Sequence, residues 1–523
     1  MAIAQTAPHA PATTTTARAS GRAALLVASA TSALIVLDTN IVAVALPSMA
    51  RDLHATFAQM EWTVGAYMLT FASGLLPAGS LADRFGRRRL LLLGLALFGL
   101  ASLACGAAST VLALNLARAA KGVGAALLLT AALATVAHAA RDEAQQARAW
   151  AFWGSVMGGA MLVAPALGGV VSQWLGWRWI FWLNLPAAAA LAAGALLYVE
   201  ESRNPNAPRL DGIGAALLCA SLLFFTWALL EAGRIGWLHP DTGLRALAGC
   251  LCMGLFVQAE TLQKQPMVDP ALFRAPRLQG ALLGMAGYAG CAQVMMVLLP
   301  LYFQAGLGLD AVSAGLAMLP FGLAMFALPS AGNWIARRSS AYDVLFWGLL
   351  LAAAGNLMAA WAAPGMHYAP AGLAITLIGA GAGLMNGATQ RNVMACIPHE
   401  HAGMASGIST TTRFMGLLLA FGALAGVLAF ATDTLLEQQL AQRGLPVALA
   451  RHLVPRVVAG DVAGALSVLP ADLRGVLEPL CREAVAQAFA WVLAAAGVVA
   501  LLCAAGVRML GWRADARERP QAA

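Results

Sequence analysis

The stretch that sets the class of this protein is residues 37–47, which read LDTNIVAVALP and close an apolar segment that begins at Ala23. That segment is long enough for an α-helix to cross the hydrocarbon core of a bilayer, which takes about 20 residues. Asp38 is the only acidic residue within it. Because a carboxylate inside such a helix costs roughly 2.5 to 3.5 kcal/mol on insertion scales, Asp38 is a candidate functional residue.

The composition of the whole chain indicates a membrane protein that crosses the bilayer many times. Of its 523 residues, 60% are hydrophobic and 11% are charged, and the mean hydropathy is +0.74. Soluble domains carry about 25% charged residues. The net charge of +8 is spread over short basic clusters between apolar segments, as in the positive-inside pattern. We therefore expect the lipid bilayer, and no nucleic acid, as a partner.

Residue types exclude ATP hydrolysis and argue against cofactor chemistry. The chain has two lysines, Lys121 and Lys264, and neither is followed by Ser or Thr. A Walker phosphate-binding loop ends in Lys-Ser or Lys-Thr, so the chain is not an ATP-driven pump by itself. The cysteines lie mostly in apolar segments and the histidines are scattered or lie in loops. We expect no metal, no cofactor and no enzyme activity.

Apolar windows predict an all-α polytopic membrane protein with fourteen transmembrane helices in a 6+2+6 arrangement. An N-terminal bundle of six helices covers residues 23–200, two inserted helices with linkers cover 201–277, and a C-terminal bundle of six covers 278–507. The predicted helices lie near 23–46, 61–82, 90–108, 112–136, 150–172, 180–199, 211–232, 243–262, 278–301, 311–334, 342–363, 369–392, 403–430 and 485–507.

Loop charges orient these helices. Most loop arginines fall in one set of alternating loops, which places a disordered N-terminus (residues 1–22) and the C-terminal tail (508–523) in the cytoplasm. The loop 431–484 then lies on the outer face despite its five arginines, because long loops are translocated largely regardless of charge. Its mixture of apolar and charged residues predicts short amphipathic helices there.

The connection between the second and third predicted helices reads GSLADRFGRRR over residues 79–89. Its glycines allow a tight turn and a close backbone approach, while its aspartate can pair with an arginine or a helix N-terminus. This motif resembles the loop signature of the major facilitator superfamily. The resemblance implies a cytoplasmic latch between the two halves of a transporter, made of Gly79, Asp83, Arg84, Gly86 and Arg88.

The fourth predicted helix contains an arginine, Arg118, inside an apolar segment, where it needs a partner or a water-filled cavity. The segment is similar to the superfamily's fourth-helix motif, an arginine followed by Gly-x-Gly, here Gly122 and Gly124. The similarity implies a role in proton coupling. Lys121 stands where the family often has Gln, which leaves its role open. The alternative is that Arg118 extends to the membrane interface.

The fifth predicted helix carries small residues on one side, which suits a kinked, closely packed helix. This pattern resembles the antiporter motif of exporters in the superfamily, with Ala164 in place of the usual Gly before the proline. A purely structural packing face is the alternative. The residues of this antiporter-motif helix are Gly154, Gly158, Pro165, Gly168 and Gly169.

The sixth predicted helix opens with WRWIFWLNLP at residues 177–186. Together with residues 37–47 and the count of fourteen, this closely resembles the EmrB/QacA-like family of drug:proton antiporters. The resemblance implies a bacterial cytoplasmic (inner) membrane location and alternating-access export of hydrophobic or amphipathic compounds in exchange for protons, with Asp38 as the proton carrier. A periplasmic adaptor and an outer-membrane channel stay open as further partners.

Polar, aromatic and methionine residues in several helices are candidates to line a substrate cavity, although each could equally pack in the core or face lipid. A proton-coupled carrier dedicated to one metabolite shares the same fold, and a non-transporting membrane sensor would not need Asp38 and Arg118. The cavity candidates are Asn40, Tyr67, Trp153, Met157, Tyr288, Gln293, Tyr302 and Gln304.

Overall fold

A computed structural model describes residues 14–138, 143–202, 211–263, 270–397, 402–467 and 469–518, and its described residues form helices and connections without strands. The helices of the first half and of the following pair are α1 (Thr14–Asp52), α2 (Phe57–Phe85), α3 (Arg87–Ala107), α4 (Val111–His138), α5 (Glu143–Trp174), α6 (Arg178–Trp182), α7 (Asn184–Tyr198), α8 (Gly212–Ile235) and α9 (Pro240–Leu262). The later helices are α10 (Pro276–Tyr288), α11 (Met295–Leu301), α12 (Ala311–Ala317), α13 (Leu319–Ala327), α14 (Pro329–Arg338), α15 (Ala341–Ala362), α16 (Tyr368–Ala395), α17 (Ala402–Gln442), α18 (Ala448–Val457), α19 (Val462–Leu466) and α20 (Ala471–Glu518).

Proline residues explain why several predicted helices consist of more than one piece. The sixth predicted helix is divided into α6 and α7 at Leu183. In a continuous helix, the ring of Pro186 would clash with the carbonyl of Trp182, four residues earlier. The tenth crossing is divided into α12, α13 and α14, and Pro320 and Pro329 stand in the first turn of the second and third pieces. Proline fits there because first-turn residues have no helical N–H partner.

The ninth crossing contains two π-helical turns, which sequence periodicity does not show. One turn at Ala289–Gln293 joins α10 to α11, and the other at Tyr302–Gly306 follows α11. Pro300 lies inside α11 and cannot donate a backbone hydrogen bond. Such turns widen a helix locally and occur frequently at functional sites.

Thirteen helices in the described part of the chain are long and apolar enough to cross a membrane, so the count of fourteen is not confirmed. The difference is the second predicted helix, which coincides with α2. This helix has 29 residues, and its side chains at positions 80 and 83 lie outside the described part of the structure. It packs against α4, α8 and α17 in the interior of the bundle.

The segment predicted as an outer loop, 431–484, consists mostly of helix. The end of α17 and the start of α20 extend into it, and α18 and α19 lie between them. Leu453 and Val457 of α18 are buried, while His452 and Arg456 line a shallow groove. Its position on the outer face stays a prediction from charge.

The two six-helix bundles contact each other mainly through α5 with α12 and α13, α2 with α17, and α1 with α11. The backbone of Gly169 lies against Ala311, and the backbone of Gly315 lies against Pro165, so neither glycine has room for a side chain. Earlier on the same face of α5, Gly154 has no atom within 4 Å of where a Cβ would stand. Toward the end of the bundles predicted to be cytoplasmic, Gly407 of α17 lies against Leu76 of α2.

We expect Gly124→Leu to destabilise the N-terminal bundle by about 1 to 3 kcal/mol through overpacking. A Cβ at this position would lie 2.8 Å from the backbone nitrogen of Phe98, where α3 crosses α4. Thermal unfolding in detergent measures the change. The control is Gly254→Leu on α9, an exposed helical glycine with open space around it, which should leave the midpoint unchanged.

A buried ion cluster as the candidate functional site

Asp38 lies in the middle part of α1 and is 1% exposed. The adjacent polar residues do not compete for its carboxylate, because each bonds to the helix's own backbone. The Thr39 hydroxyl donates to the Ile35 carbonyl at 2.9 Å, and Asn40 Nδ2 donates to the Val36 carbonyl at 2.8 Å. The carboxylate is therefore free to point at side chains from other helices.

Two cations and one amide surround the Asp38 carboxylate. Arg118 Nη1 lies 3.0 Å from Oδ2, and Lys121 Nζ lies 2.5 Å from Oδ1. Asn184 Nδ2, at the start of α7, donates to Oδ1 at 2.9 Å. Both cations come from α4, where a spacing of three residues puts them on one face. With all three groups ionised, the cluster has a net charge of +1.

Aromatic rings and a backbone carbonyl hold the two cations in place. The guanidinium of Arg118 lies 4.2 Å from the ring centroid of Tyr67, and its Nε donates to the Thr63 carbonyl at 3.0 Å. Lys121 Nζ lies 4.6 Å and 4.9 Å from the ring centroids of Phe98 and Phe181. Cation–π contacts of this kind stabilise cations that have lost their hydration. Both cations are 1% exposed or less.

The structure brings together Asp38, Arg118 and Tyr67 of the sequence-based candidates. It adds Lys121, whose role the sequence left open, and Asn184, which the sequence analysis did not select. A signal for both existed: a lysine three residues after a membrane arginine shares its helix face, and an amide inside an apolar segment needs a partner. Which partner they would find depends on helix packing.

The predicted latch residues lie at the junction of α2 and α3. Gly86 has a φ of 105°, which favours glycine, and the Glu201 side chain occupies the space where a Cβ would stand. The backbone N–H of Arg88 donates to Glu201 Oε1 at 3.2 Å. Arg84 is exposed, with its guanidinium 5.7 Å from the centroid of Phe85. The Asp83 side chain lies outside the described part of the structure.

Gly79, the remaining latch residue, is in α2 and has no atom within 4 Å of where a Cβ would stand. The structure thus shows the junction fixed to the chain that follows α7, through Glu201, a residue that the sequence analysis did not select. The contact of the latch with the other bundle stays a prediction.

The small-residue face of α5 packs against both bundles. Gly158 lies against Phe326 of α13, and Gly168 lies against the backbone of Ile41 in α1. Pro165 and Gly169 make the contacts with α12 given above. Only Gly154 of the predicted set stands free among the described atoms. This face is the surface on which the bundles meet.

The predicted cavity residues fall into separate places. Trp153 packs on a small cluster of alanines from α1, α4 and α5. Tyr302 donates to the Ala363 carbonyl at 3.1 Å and packs against Phe489 of α20. Met157 and Asn40 are buried. Gln304 connects the bundles, since its Nε2 donates to the Val44 carbonyl of α1 at 2.8 Å.

Tyr288 and Gln293 instead meet a second cation, Arg413 of α17, which is partly buried. Arg413 Nε donates to Gln293 Oε1 at 2.8 Å, and Nη2 donates to the Tyr288 hydroxyl at 3.0 Å. Asn386 accepts from the Tyr288 hydroxyl at 3.1 Å. Arg413 is thus held by neutral acceptors, unlike Arg118, and the sequence analysis did not select it as a site residue.

A family model described as Major Facilitator Superfamily matches residues 28–431, which include α1 to α16 and most of α17. The chain belongs to this superfamily. Superfamily membership makes it a multi-pass membrane transporter of small molecules rather than an enzyme, in agreement with the helical fold and the thirteen apolar helices.

Curated relatives of the superfamily are similar over most of their length. The multidrug resistance protein Stp of Mycobacterium tuberculosis (strain CDC 1551 / Oshkosh) is 33% identical over 81% of this chain and 79% of its own. The puromycin resistance protein pur8 of Streptomyces alboniger is 33% identical, covering 75% and 78%. The tetracenomycin C resistance and export protein of Streptomyces glaucescens is 28% identical, covering 93% and 90%.

The fold is also similar to that of a solved structure, a bacterial homolog of the human lysosomal transporter Spinster in an inward-facing, unoccupied conformation. The TM-score is 0.64 at 16% identity, with 96% of this chain and 99% of the other covered. At this identity the likeness concerns the fold alone.

We expect Asp38→Asn to destabilise the protein by roughly 3 to 5 kcal/mol, because it leaves two buried cations without a counter-charge. Lys121→Met should cost less, since Asp38 keeps Arg118 and Asn184. The double variant Asp38→Asn/Lys121→Met should recover part of the loss. Thermal unfolding of the three variants in detergent tests the charge balance, and equal destabilisation by both single changes would contradict it.

Proposed function

We propose that this transporter exports hydrophobic or amphipathic compounds in exchange for protons, by alternating access, with Asp38 as the proton carrier. The observation that carries the proposal is the Asp38 carboxylate buried against Arg118 and Lys121. The negative charge of such a carboxylate can be balanced by the two cations or neutralised by a bound proton. Neither state needs a cofactor.

The ion pairs tie proton binding to conformation. While Asp38 is charged, it binds α1 to α4 and to Asn184. A proton on Asp38 removes the counter-charge of two buried cations, which is unfavourable in this arrangement of helices. Proton uptake by Asp38 therefore favours a different arrangement of the helices. Return of the helices to the arrangement seen here favours release of the proton.

An aromatic path leads from this cluster to the other bundle. Arg118 stacks on Tyr67, and Tyr67 packs on Phe71 with ring centroids 5.7 Å apart. Phe71 meets Phe414 of α17 edge to face at 4.4 Å. A displacement of Arg118 after protonation of Asp38 would act along this path on the contact between α2 and α17.

The ion pairs of Asp38 suggest where this structure stands in the proposed cycle. The Asp38 carboxylate has two cation partners, which suit its charged form. We take this as a state after a proton has left Asp38 and before the next proton binds. The glycines and Pro165 of α5 form the surface on which the bundles rock.

The energy of the proton is sufficient for export. Moving one charge through 100 mV yields roughly 2.3 kcal/mol, which corresponds to a concentration ratio of about fiftyfold for a neutral compound. The names of the relatives, which include multidrug resistance and export proteins, support export over uptake. The latch residues Gly79, Asp83, Arg84, Gly86 and Arg88 would close the cytoplasmic side.

The same proposal places the protein in a bacterial inner membrane with both termini in the cytoplasm. In it α2 is the fourteenth crossing, since its 29 residues exceed the bilayer thickness. The carbonyl of Thr63 and the ring of Tyr67 contact Arg118 of the ion cluster. The pair α8 and α9 is then an insertion between two bundles of six. In a cell with an outer membrane, a periplasmic adaptor and an outer-membrane channel would be partners.

Transport in proteoliposomes with an imposed pH gradient tests the proposal. Puromycin is a first probe, taken from the name of one relative, within a panel chosen by resistance profiling of cells that overexpress the chain. The parent should concentrate a substrate against its gradient, and Asp38→Asn should only equilibrate it, because Asn cannot take up or release a proton.

Asp241→Asn on α9 is the matched control, an exposed acid that should leave uphill transport intact. Transport of a substrate against its gradient by Asp38→Asn would contradict the assignment of Asp38 as the proton carrier. If the parent confers no resistance to any compound in the panel, export of toxic compounds is the wrong function and a dedicated metabolite carrier takes its place.

A further inference from the structure

A second buried acid lies at the wall of a small cavity between the two bundles. The cavity is near the α1–α2 connection and is lined almost entirely by apolar side chains from α1, α2, α11 and α17, and by the chain after α18. Its lining includes Leu46, Met60, Glu61, Leu301, Phe421 and Ala459. Among the described residues that line the cavity, Glu61 is the only one with an ionisable side chain, and it is 3% exposed.

Glu61 has no cation partner in the described part of the chain. Its Oε1 atom is buried and makes no hydrogen bond to a described atom. Among the described residues, the charged group that affects the Glu61 carboxyl electrostatically is another acid, Glu231 of α8. Glu231 has its own cation, Arg245, at 3.9 Å. A buried carboxyl beside a second acid and without a cation is most stable with a proton bound.

The other charged groups on the neighbouring helices have partners elsewhere. On α1 and α4, the buried cluster contains Asp38, Arg118 and Lys121, while Arg51 donates to Ser48, Asp52 pairs with Arg178, and Arg22 lies at the opposite end of α1. On α17 and beyond, Arg413 is held by neutral acceptors, Asp433 interacts with Glu437 and Arg451, His452 and Arg456 line a separate groove, and Asp461 caps α19.

The outer segment closes this cavity. Ala459 contributes to the lining, and the next residue, Gly460, has a φ of 86°. A Cβ on Gly460 would lie 2.7 Å from Pro47 Cγ of α1 and 3.3 Å from Leu301 Cδ1 of α11. The turn after α18 is therefore seated between one helix of each bundle. This segment lies beyond residue 431, where the family match ends.

The two acids lie at different depths in the membrane. Asp38 is 14 residues before the end of α1 at Asp52, about 21 Å along the helix, while Glu61 is four residues after the start of α2 at Phe57, about 6 Å. Glu61 thus lies close to the face predicted to be outside, directly beneath the closing turn.

We propose that Glu61 is a second proton site of the transporter, loaded from the outer face when the turn at Ala459–Gly460 lifts off Pro47 and Leu301. A hydronium ion in the outer aqueous phase gives its proton to the Glu61 carboxylate and becomes water. The neutral acid is stable in the apolar cavity while the turn is closed. When the bundles separate on the cytoplasmic side, water there accepts the proton. The inference rests on the proposed proton exchange and adds a second proton to it.

Infrared spectroscopy of the purified full-length protein tests the site with the proton itself as probe, so that no substrate is needed. The parent should show the carbonyl stretching band of a protonated carboxyl that shifts in heavy water. We expect loss of this band in Glu61→Gln, its retention at a changed frequency in Glu61→Asp, and no change in Glu231→Gln. An unchanged spectrum in both Glu61 variants overturns the proposal, and the Asp variant alone decides if the Gln variant does not fold.

The closing turn is tested by the rate at which this band exchanges in heavy water. Gly460→Ala introduces strain at a positive φ and a clash with Pro47, so exchange should accelerate about tenfold, the change that roughly 1.4 kcal/mol of lost closure corresponds to. Gly444→Ala is the matched control, with a φ of 67° and open space around the new Cβ. Equal rates in the parent and Gly460→Ala overturn the role of the turn.

These outcomes are independent of export. If Glu61→Gln keeps every band while Asp38→Asn abolishes uphill transport, the second site is wrong and the proposed function stands. If the Glu61 band is found and no compound is exported, the proton site stands and the export proposal fails.

Discussion

The burial of one carboxylate against two cations constrains the whole N-terminal bundle. A single Arg–Asp pair could balance charge inside a membrane, but Lys121 adds a third charge that burial makes expensive. The surroundings compensate with the rings of Tyr67, Phe98 and Phe181 and with the amide of Asn184. These groups come from α2, α3, α6 and α7, so nearly every helix of the bundle is positioned by this cluster.

The C-terminal bundle has a different interior. Its partly buried cation, Arg413, is bound by the oxygens of Gln293 and Tyr288 and has no carboxylate within ion-pair distance among the described residues. In the proposed cycle, the C-terminal bundle therefore serves as a fixed surface against which the N-terminal bundle rearranges when Asp38 gains or loses a proton. The edge-to-face contact of Phe71 with Phe414 connects the two interiors.

The sequence predicted the crossings well because each is an apolar segment of membrane length bounded by charge, and thirteen of the fourteen have a matching apolar helix. It also selected Asp38 and Arg118, since an isolated charge in an apolar segment stands out. It left Lys121 open and did not select Asn184, because their importance comes from which helix faces which, and that depends on packing over long sequence separations. The π-helical turns around α11 were missed for a related reason: apolar periodicity is similar in an α-helix and a short π turn. The cavity candidates lie in separate places in the structure. Residue type alone therefore does not distinguish a residue that lines a cavity from one that packs in the core.

Glycine and proline residues at the contact between the bundles allow the helix movements that the proposed cycle needs. Where Gly169 and Gly315 bring backbones together, the contact has few side chains to interlock, so the surfaces can roll on each other with little repacking. Pro320 and Pro329 divide the facing crossing into α12, α13 and α14, which lets it bend where an unbroken helix would resist. The charged cluster lies in neither of these places. In the proposed cycle, a proton on Asp38 would change the balance of forces inside one bundle, and the α5–α12 surface would let that change become a rotation of the bundle as a unit rather than a local distortion around the acid.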